Sequence, residues 1–270
     1  LVGYWHEVFP KSAFTLIYLP PLIFLSSYLS PKKYIVFLSI VLFLVGNHLF
    51  NGGVDGVVAV YFICTAYCFF NIFFSEKYIS GNNIFFFITI IFSTVLSLLK
   101  NEGFVLLLLI FFTTFIFNIE LKFLTKTLKK LSILSMSLVP MILWKIFCYR
   151  NGIQNTDFSL QYISDNFMDR LVVFENYELF FKYLIVSNEK SIVAILIFVF
   201  SFYRNFDKKL FNYSICLFIS YLFLLLIVYF SSPYDFNYHL ETSAYRVLKS
   251  FTLLLSFFGL LNLNLKSLKN

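Results

Sequence analysis

Val57-Val58-Ala59-Val60-Tyr61-Phe62-Ile63-Cys64-Thr65-Ala66-Tyr67-Cys68-Phe69-Phe70-Asn71-Ile72-Phe73-Phe74 decides the fold. The run has no charged side chain and is as long as one bilayer-crossing helix needs to be, about 17–25 residues. Eight further apolar runs have the same character: 12–30, 34–50, 84–99, 104–118, 131–149, 191–203, 210–230 and 247–263. Those at 84–99, 104–118 and 191–203 are short for a full crossing and need flanking residues. None shows the strict alternation of a membrane barrel strand. In lipid the backbone must satisfy itself within each segment, which a helix does. The expected fold is therefore an all-α integral membrane protein. It is one transmembrane helical domain over 1–270 with about nine transmembrane helices and one longer outer-side loop containing short interfacial helices.

Composition agrees with that run. The chain is 60% hydrophobic and only 13% charged, against about 25% charged in an average soluble domain. A soluble enzyme, a disordered segment and a disulfide scaffold are excluded. Alanine occurs only five times, so Phe fills the place that Ala or Leu takes elsewhere, and the aromatic runs read as packing rather than as stacking platforms. Cys64 and Cys68 share a helix face, and Cys148 and Cys216 lie in other apolar runs. With no His or acid nearby they read as small buried apolar residues.

Orientation follows from the basic residues. With the N-terminus outside and the C-terminus inside, Lys32, Lys33, Lys77, Lys122, Lys126, Lys129, Lys130, Arg204, Lys208, Lys209, Lys266 and Lys269 all fall on the inner side, twelve of the chain's 21. The expected setting is a multi-pass protein of the cell (inner) membrane. The net charge of +7 is then explained by anchoring to anionic lipid, and no nucleic-acid partner is implied. Residues 119–130 set Leu121, Phe123, Leu124 and Leu128 against spaced lysines, an interfacial amphipathic stretch. The outer-side loop, about 150–190, interleaves Asp157, Asp165, Asp169, Arg170, Glu175, Glu178 and Lys182 with apolar residues, consistent with short helices on the membrane surface.

Charge beside lipid is costly unless it is paired or used, so the few ionisable residues on the outer side are the functional candidates. They fall in three places: Asp55 in Asn51-Gly52-Gly53-Val54-Asp55-Gly56; Lys100-Asn101-Glu102-Gly103; and Pro233 through Arg246, with His239, Glu241, Thr242 and Ser243. Each has a plain structural reading. Asp55 suits a turn among glycines, Lys100 and Glu102 suit a polar hairpin in which Gly103 lets the backbone turn, and Thr242 or Ser243 suits an N-cap of the last helix. The functional reading is an anion site. Lys100 and Arg246 are suited to phosphate, and His239 lies seven residues before Arg246, nearly on one helix face. His6 and His48 have no partner at ligand spacing, and no metal set is read from the sequence.

On these pieces, together with Trp144 and Lys145 ahead of Tyr149-Arg150-Asn151-Gly152, the chain resembles the GT-C class of polytopic membrane glycosyltransferases, the group of the protein mannosyltransferases and the lipid A aminoarabinose transferases. The resemblance implies an enzyme that moves a sugar from a polyprenyl-phosphate-linked sugar donor to a lipid, glycan or protein acceptor on the outer face. The donor is a substrate, and no other cofactor is implied. It implies phosphate contacts at Lys100 and Arg246, with Asp55, Glu102 and His239 as supporting polar groups. The class keeps its catalytic base in a first outer loop, and Glu7 is the only carboxylate before the first apolar run here. The opening Leu1-Val2-Gly3-Tyr4-Trp5-His6-Glu7 is not a signal peptide. The expectation is that the class's first helix, first outer loop and base lie upstream of Leu1, and a fragment inactive by itself is one form of this reading. A second departure is Gly53, where relatives often carry Tyr. Two other classes are alternatives: a transporter or flippase of lipid-linked sugars, which predicts mid-membrane charges and broken helices in matching halves, whereas only Pro20-Pro21 interrupts a span and no repeat is visible, and a glycan polymerase or ligase resting on Arg150 and Arg170.

Overall fold

In a computed structural model of the chain, the residues described are 8–51, 54–74, 83–118, 124–153, 160–186 and 189–264. Among them there is no strand. Twelve α-helices follow in order: α1 (Val8–Ser26), α2 (Pro31–Asn51), α3 (Val54–Phe74), α4 (Asn83–Leu99), α5 (Asn101–Phe117), α6 (Leu124–Leu134), α7 (Val139–Arg150), α8 (Leu160–Val172), α9 (Phe174–Val186), α10 (Glu189–Arg204), α11 (Lys208–Phe230) and α12 (Phe236–Asn264). Four helical segments are long and apolar enough to cross a membrane, by length and composition: Val54–Phe74, Thr125–Arg150, Lys208–Phe230 and Phe236–Leu263. Leu16–Ser26, Ile84–Leu99, Asn101–Phe117 and Ser191–Arg204 are shorter apolar helices. Each of the nine apolar runs falls in helix, although the first ends at Ser26 in a turn rather than at residue 30. The stretch about 150–190 forms two helices, α8 and α9. Residues 119–123, the start of the amphipathic stretch, lie outside the described residues, as do His6, Glu7, Gly52, Gly53, Lys77, Asp157, Lys266 and Lys269.

The packing centres on α3, apolar on every side. It is buried from Gly56 to Phe69 without interruption, the behaviour of a helix enclosed by others. Around it stand α1, α4, α5 and α12, and α12 packs in turn against α9, α10 and α11. Cys64 and Cys68 are buried in α3 as free thiols, in keeping with an apolar role.

Pro20 and Pro21 do not interrupt α1, and the helix continues through both. Pro21 has no N–H to offer the carbonyl of Ile17, four residues earlier. The Tyr61 hydroxyl of α3 donates to that carbonyl at 3.2 Å, and Cys64 Sγ lies 3.5 Å from Pro21 O. A neighbouring helix thus repairs the defect, as membrane-type packing requires. Pro140, at the start of α7, has the opposite outcome: α6 and α7 are separated by a 3-10 turn, Ser135–Leu138.

Hydrogen bonds between helices fix the two ends of the bundle. At one end Lys130 Nζ of α6 donates to Ile72 O of α3 at 2.7 Å. Asn262 Nδ2 of α12 donates to Ser201 O at 3.0 Å, and Asn205 Nδ2 donates back to Asn262 O at 3.0 Å. At the other end lie the start of α3, the α4–α5 junction, the end of α11 and the start of α12, which together line one cavity.

Candidate active site

A single residue, Lys100, separates α4 from α5. Its backbone is extended (φ −163°, ψ 154°) and its side chain does not cap the helix. Gly103 is already helical, so its value is closeness: a Cβ there would overlap the Leu96 carbonyl oxygen of α4. This replaces the expected role of Gly103 in turning the chain. The hairpin closes tightly because that position carries only hydrogen, and the closure lifts Lys100 and Glu102 to the rim of the bundle. Gly56 does similar work for Asp55, since a Cβ there would overlap Val45 Cγ1 and the Tyr18 hydroxyl.

These two close approaches bring Asp55 and Lys100 together. Lys100 Nζ lies 3.0 Å from Asp55 Oδ1 and 3.0 Å from Glu102. The side chains of Lys100, Asp55 and Glu102 are 37%, 14% and 51% exposed. Burial alone would lower the pKa of the Lys100 ammonium. Glu102 first and Asp55 second outweigh that effect and hold it above the ordinary lysine value, so Lys100 is a cation. An ammonium has three N–H donors, and the carboxylates occupy two. Beside it Lys145 Nζ of α7 donates to Asn101 Oδ1 at 3.0 Å, tying the hairpin to the outer helix.

The opposite wall is α12. Asp235 caps it, Oδ1 accepting from Tyr238 N at 2.9 Å, so the helix starts earlier than a cap at Thr242 or Ser243 would allow. Thr242 Oγ1 instead bonds Tyr238 O at 2.8 Å. His239, Ser243, Arg246 and Ser250 fall at spacings of four, three and four and form one stripe facing inward. The His239 ring stands 4.8 Å from the Tyr229 ring and 5.7 Å from that of Tyr234, and its Nδ1 is buried with no hydrogen-bond partner among the described residues. Tyr229 of α11 shares a hydrogen bond with Ser243 at 2.8 Å, and the Tyr221 hydroxyl donates to Val247 O. Arg246 is exposed into the same space, and no described carboxylate pairs with it.

All five residues singled out in the sequence, Asp55, Lys100, Glu102, His239 and Arg246, therefore line one cavity of about 410 Å³, together with Asn101, Ser243 and Ser250. Its remaining walls are largely apolar, built from Val58, Val105, Leu106, Leu224, Leu225 and Val228. Tyr221 and Tyr229 also line it and were not read from the sequence, although with Tyr213 they recur every eight residues along α11. The other sequence pieces stand apart. Arg150 is exposed at the end of α7, and Asn151-Gly152-Ile153 is a helix stop with Gly152 at φ 67° and Ile153 N donating to Cys148 O at 2.9 Å. Arg170 gives its N–H groups to the carbonyls of Tyr229, Ser232 and Tyr234 at 2.7–2.9 Å, closing the end of α11. Among the described residues no three His, Cys, Asp or Glu side chains gather as a metal-holding set.

The arrangement is amphipathic: one ammonium held between two carboxylates at one side, a guanidinium with no carboxylate partner among the described residues and an imidazole at the other, and apolar walls between them. It suits a ligand with a polar head and an apolar tail. No protein-family profile, curated protein or solved structure matches this chain.

Proposed function

We propose that the protein is a membrane glycosyltransferase of GT-C type, transferring a sugar from a polyprenyl-phosphate carrier to a lipid, glycan or protein acceptor at the outer face of the inner membrane. In this reading the chain crosses the bilayer nine times with its N-terminus outside and C-terminus inside, and the cavity opens outward. The observation that carries it is the convergence of five ionisable residues from three distant segments on one cavity that is otherwise walled by apolar side chains. Arg246 is the natural phosphate ligand, because a guanidinium can give two parallel hydrogen bonds to one phosphate. Lys100 has one N–H left for a phosphate oxygen and sets the direction of Asp55 and Glu102, which with His239 face the sugar.

In the reaction an acceptor hydroxyl oxygen bonds to the sugar's anomeric carbon, the bond from that carbon to the phosphate oxygen breaks, and the polyprenyl phosphate leaves with the electron pair. The hydroxyl proton passes to a carboxylate, and the guanidinium stabilises the charge gathering on the leaving phosphate. A lipid-linked-sugar flippase needs no carboxylate held beside the sugar, and a ligase built on Arg170 would need a guanidinium that is already bound to three carbonyls.

The test uses membranes with the protein expressed from its complete reading frame and a labelled polyprenyl-phosphate sugar. Arg246→Ala removes a charge-assisted contact of about 1.5–3 kcal/mol, so transfer should fall roughly 10- to 100-fold. Transfer unchanged in both Arg246→Ala and Lys100→Ala refutes the phosphate assignment.

A further inference from the structure

Of the four segments long enough to cross a membrane, Thr125–Arg150 is the least enclosed: 17% of its apolar window is buried, against 83% for Val54–Phe74. Its second half, α7, turns one stripe toward α5. Met141, Ile142, Lys145, Ile146 and Tyr149 follow at spacings of one, three, one and three, which puts them on one side of the helix. With Phe104 of α5 they line a groove of about 300 Å³. The described residues do not close it, since Ile142, Ile146 and Tyr149 stay exposed. From Phe104 an apolar strip runs on along α5 through Leu108, Phe112 and Phe115, all exposed. At 1.5 Å per residue the strip from 104 to 115 covers roughly 16 Å. That is one leaflet's share of a hydrocarbon core about 30 Å thick.

The groove holds a single charged side chain. Lys145 Nζ gives one of its three N–H groups to Asn101 Oδ1 at 3.0 Å, which leaves two for another acceptor. No described carboxylate pairs with it, and Asp55 and Glu102 are bound to Lys100 instead. Trp144, the preceding residue, is exposed and stacks on Phe147 with ring centroids 5.6 Å apart. Tyr149 and Arg150 follow, exposed, at the end of α7. Aromatic rings with a polar edge, mixed with basic residues, mark the depth at which hydrocarbon gives way to headgroups. At that depth the Lys145 ammonium meets headgroups, and the strip along α5 leads into the acyl region.

We propose that the groove between α5 and α7 binds one anionic phospholipid, with the phosphate on Lys145 and one acyl chain along Phe104, Leu108, Phe112 and Phe115. Charge complementarity selects the anionic class. A phosphatidylcholine headgroup brings its own cation, whereas phosphatidylglycerol leaves the charge of its phosphate to be met by the ammonium. The site is separate from the large cavity, to which neither Phe104 nor any residue of α7 contributes.

Trp5 and Trp144 are the chain's two tryptophans, so Trp5→Phe leaves Trp144, next to Lys145, as the single fluorescent reporter. The test places the full chain carrying Trp5→Phe in phosphatidylcholine vesicles and measures quenching of Trp144 by dibrominated phosphatidylglycerol and, separately, by dibrominated phosphatidylcholine. Phosphatidylglycerol should bind beside Trp144 with a relative constant roughly fivefold that of phosphatidylcholine, the counterpart of about 1 kcal/mol for one basic residue at an anionic lipid. Lys145→Arg should keep that preference and Lys145→Met should lose it. Arg150→Met should keep most of it, because position 150 lies about 140° around α7 from Lys145. Soluble glycerol phosphate, which has no acyl chain, should leave the preference intact. The proposal is overturned if the two lipids quench alike, if Lys145→Met keeps the preference, or if Arg150→Met removes as much of it as Lys145→Met does, since the attraction would then belong to the surface at large. It is also overturned if glycerol phosphate abolishes the preference, because the groove would then contribute nothing. Should Lys145→Met fail to fold, the lipid comparison, Arg150→Met and the glycerol phosphate competition still decide.

Discussion

Replacing Lys100 with Met tests the charge cluster at its weakest point. The substitution keeps the length of the side chain and removes the ammonium that lies 3.0 Å from both Asp55 and Glu102. A fully exposed ion pair contributes about 0.2–1 kcal/mol, whereas stripping the partner from a buried charge costs about 3–5 kcal/mol. Asp55 is 14% exposed and Lys100 37%, so the site lies between these limits and Lys100→Met should cost about 1–3 kcal/mol. For a chain of this size that is a drop of roughly 3–10 °C in unfolding midpoint at a fixed scan rate. The exposures also rank the partners. A double-mutant cycle of Lys100→Met with Asp55→Asn should show a coupling of about 1–2 kcal/mol, and the cycle with Glu102→Gln, whose side chain is 51% exposed, under about 1 kcal/mol. The matched control is Lys129→Met on the exposed face of α6. If Lys100→Met costs no more than that control, or if the Asp55 cycle is strictly additive, the cluster is a surface accident and the account of the site fails.

Because the folded pKa of Lys100 is raised, with burial opposing and the carboxylates prevailing, its stabilising contribution should be constant below the unfolded value near 10.5. It should be lost as pH rises through the higher folded value, so an alkaline fall in midpoint that is absent from Lys100→Met checks the sign. Gly103→Ala should cost at least about 2 kcal/mol, because the added methyl overlaps the Leu96 carbonyl and α4 and α5 must separate. Gly46→Ala, with nothing within 4 Å of the new Cβ, should be neutral or stabilise by up to about 1 kcal/mol in the same thermal assay. Arg170→Lys should destabilise by about 2–3 kcal/mol, because one ammonium cannot reproduce a planar fork that reaches three carbonyls, and sugar transfer should fall only in proportion to folded protein.

The helices were legible because apolar runs of this length have one stable form in lipid. What their sequence did not show is how breaks are handled. Pro20-Pro21 and Pro140 look alike locally, yet α1 runs on through the first while the chain between α6 and α7 tightens into a 3-10 turn at the second. The difference at Pro21 is Tyr61, 44 residues from the Ile17 carbonyl it satisfies. No window reading reaches that far. The same distance hid the function of Gly103, whose value depends on a carbonyl in the preceding helix rather than on its own dihedral angles.

The site was legible for a different reason, the scarcity of charge. In a chain with 14 acidic residues and 21 basic ones, each carboxylate or cation at a helix end stands out, and position along the chain decides which end of the bundle it reaches. Asp55, Lys100, Glu102, His239 and Arg246 could be picked out one by one in this way. Their pairing could not, since Asp55 and Lys100 are 45 residues apart. Hydroxyls give no comparable signal, because a helix can absorb them silently. Ser243 bonds the His239 carbonyl four residues back at 2.6 Å and looks like ordinary helix filler, yet it also meets Tyr229 at 2.8 Å and lines the cavity. Only the stripe His239, Ser243, Arg246, Ser250 betrays it, because a polar residue that merely satisfies itself has no reason to recur on the face that carries the arginine. In a lipid-facing fold the informative pattern is therefore polar periodicity along an apolar helix, the inverse of the apolar stripe that marks a soluble one.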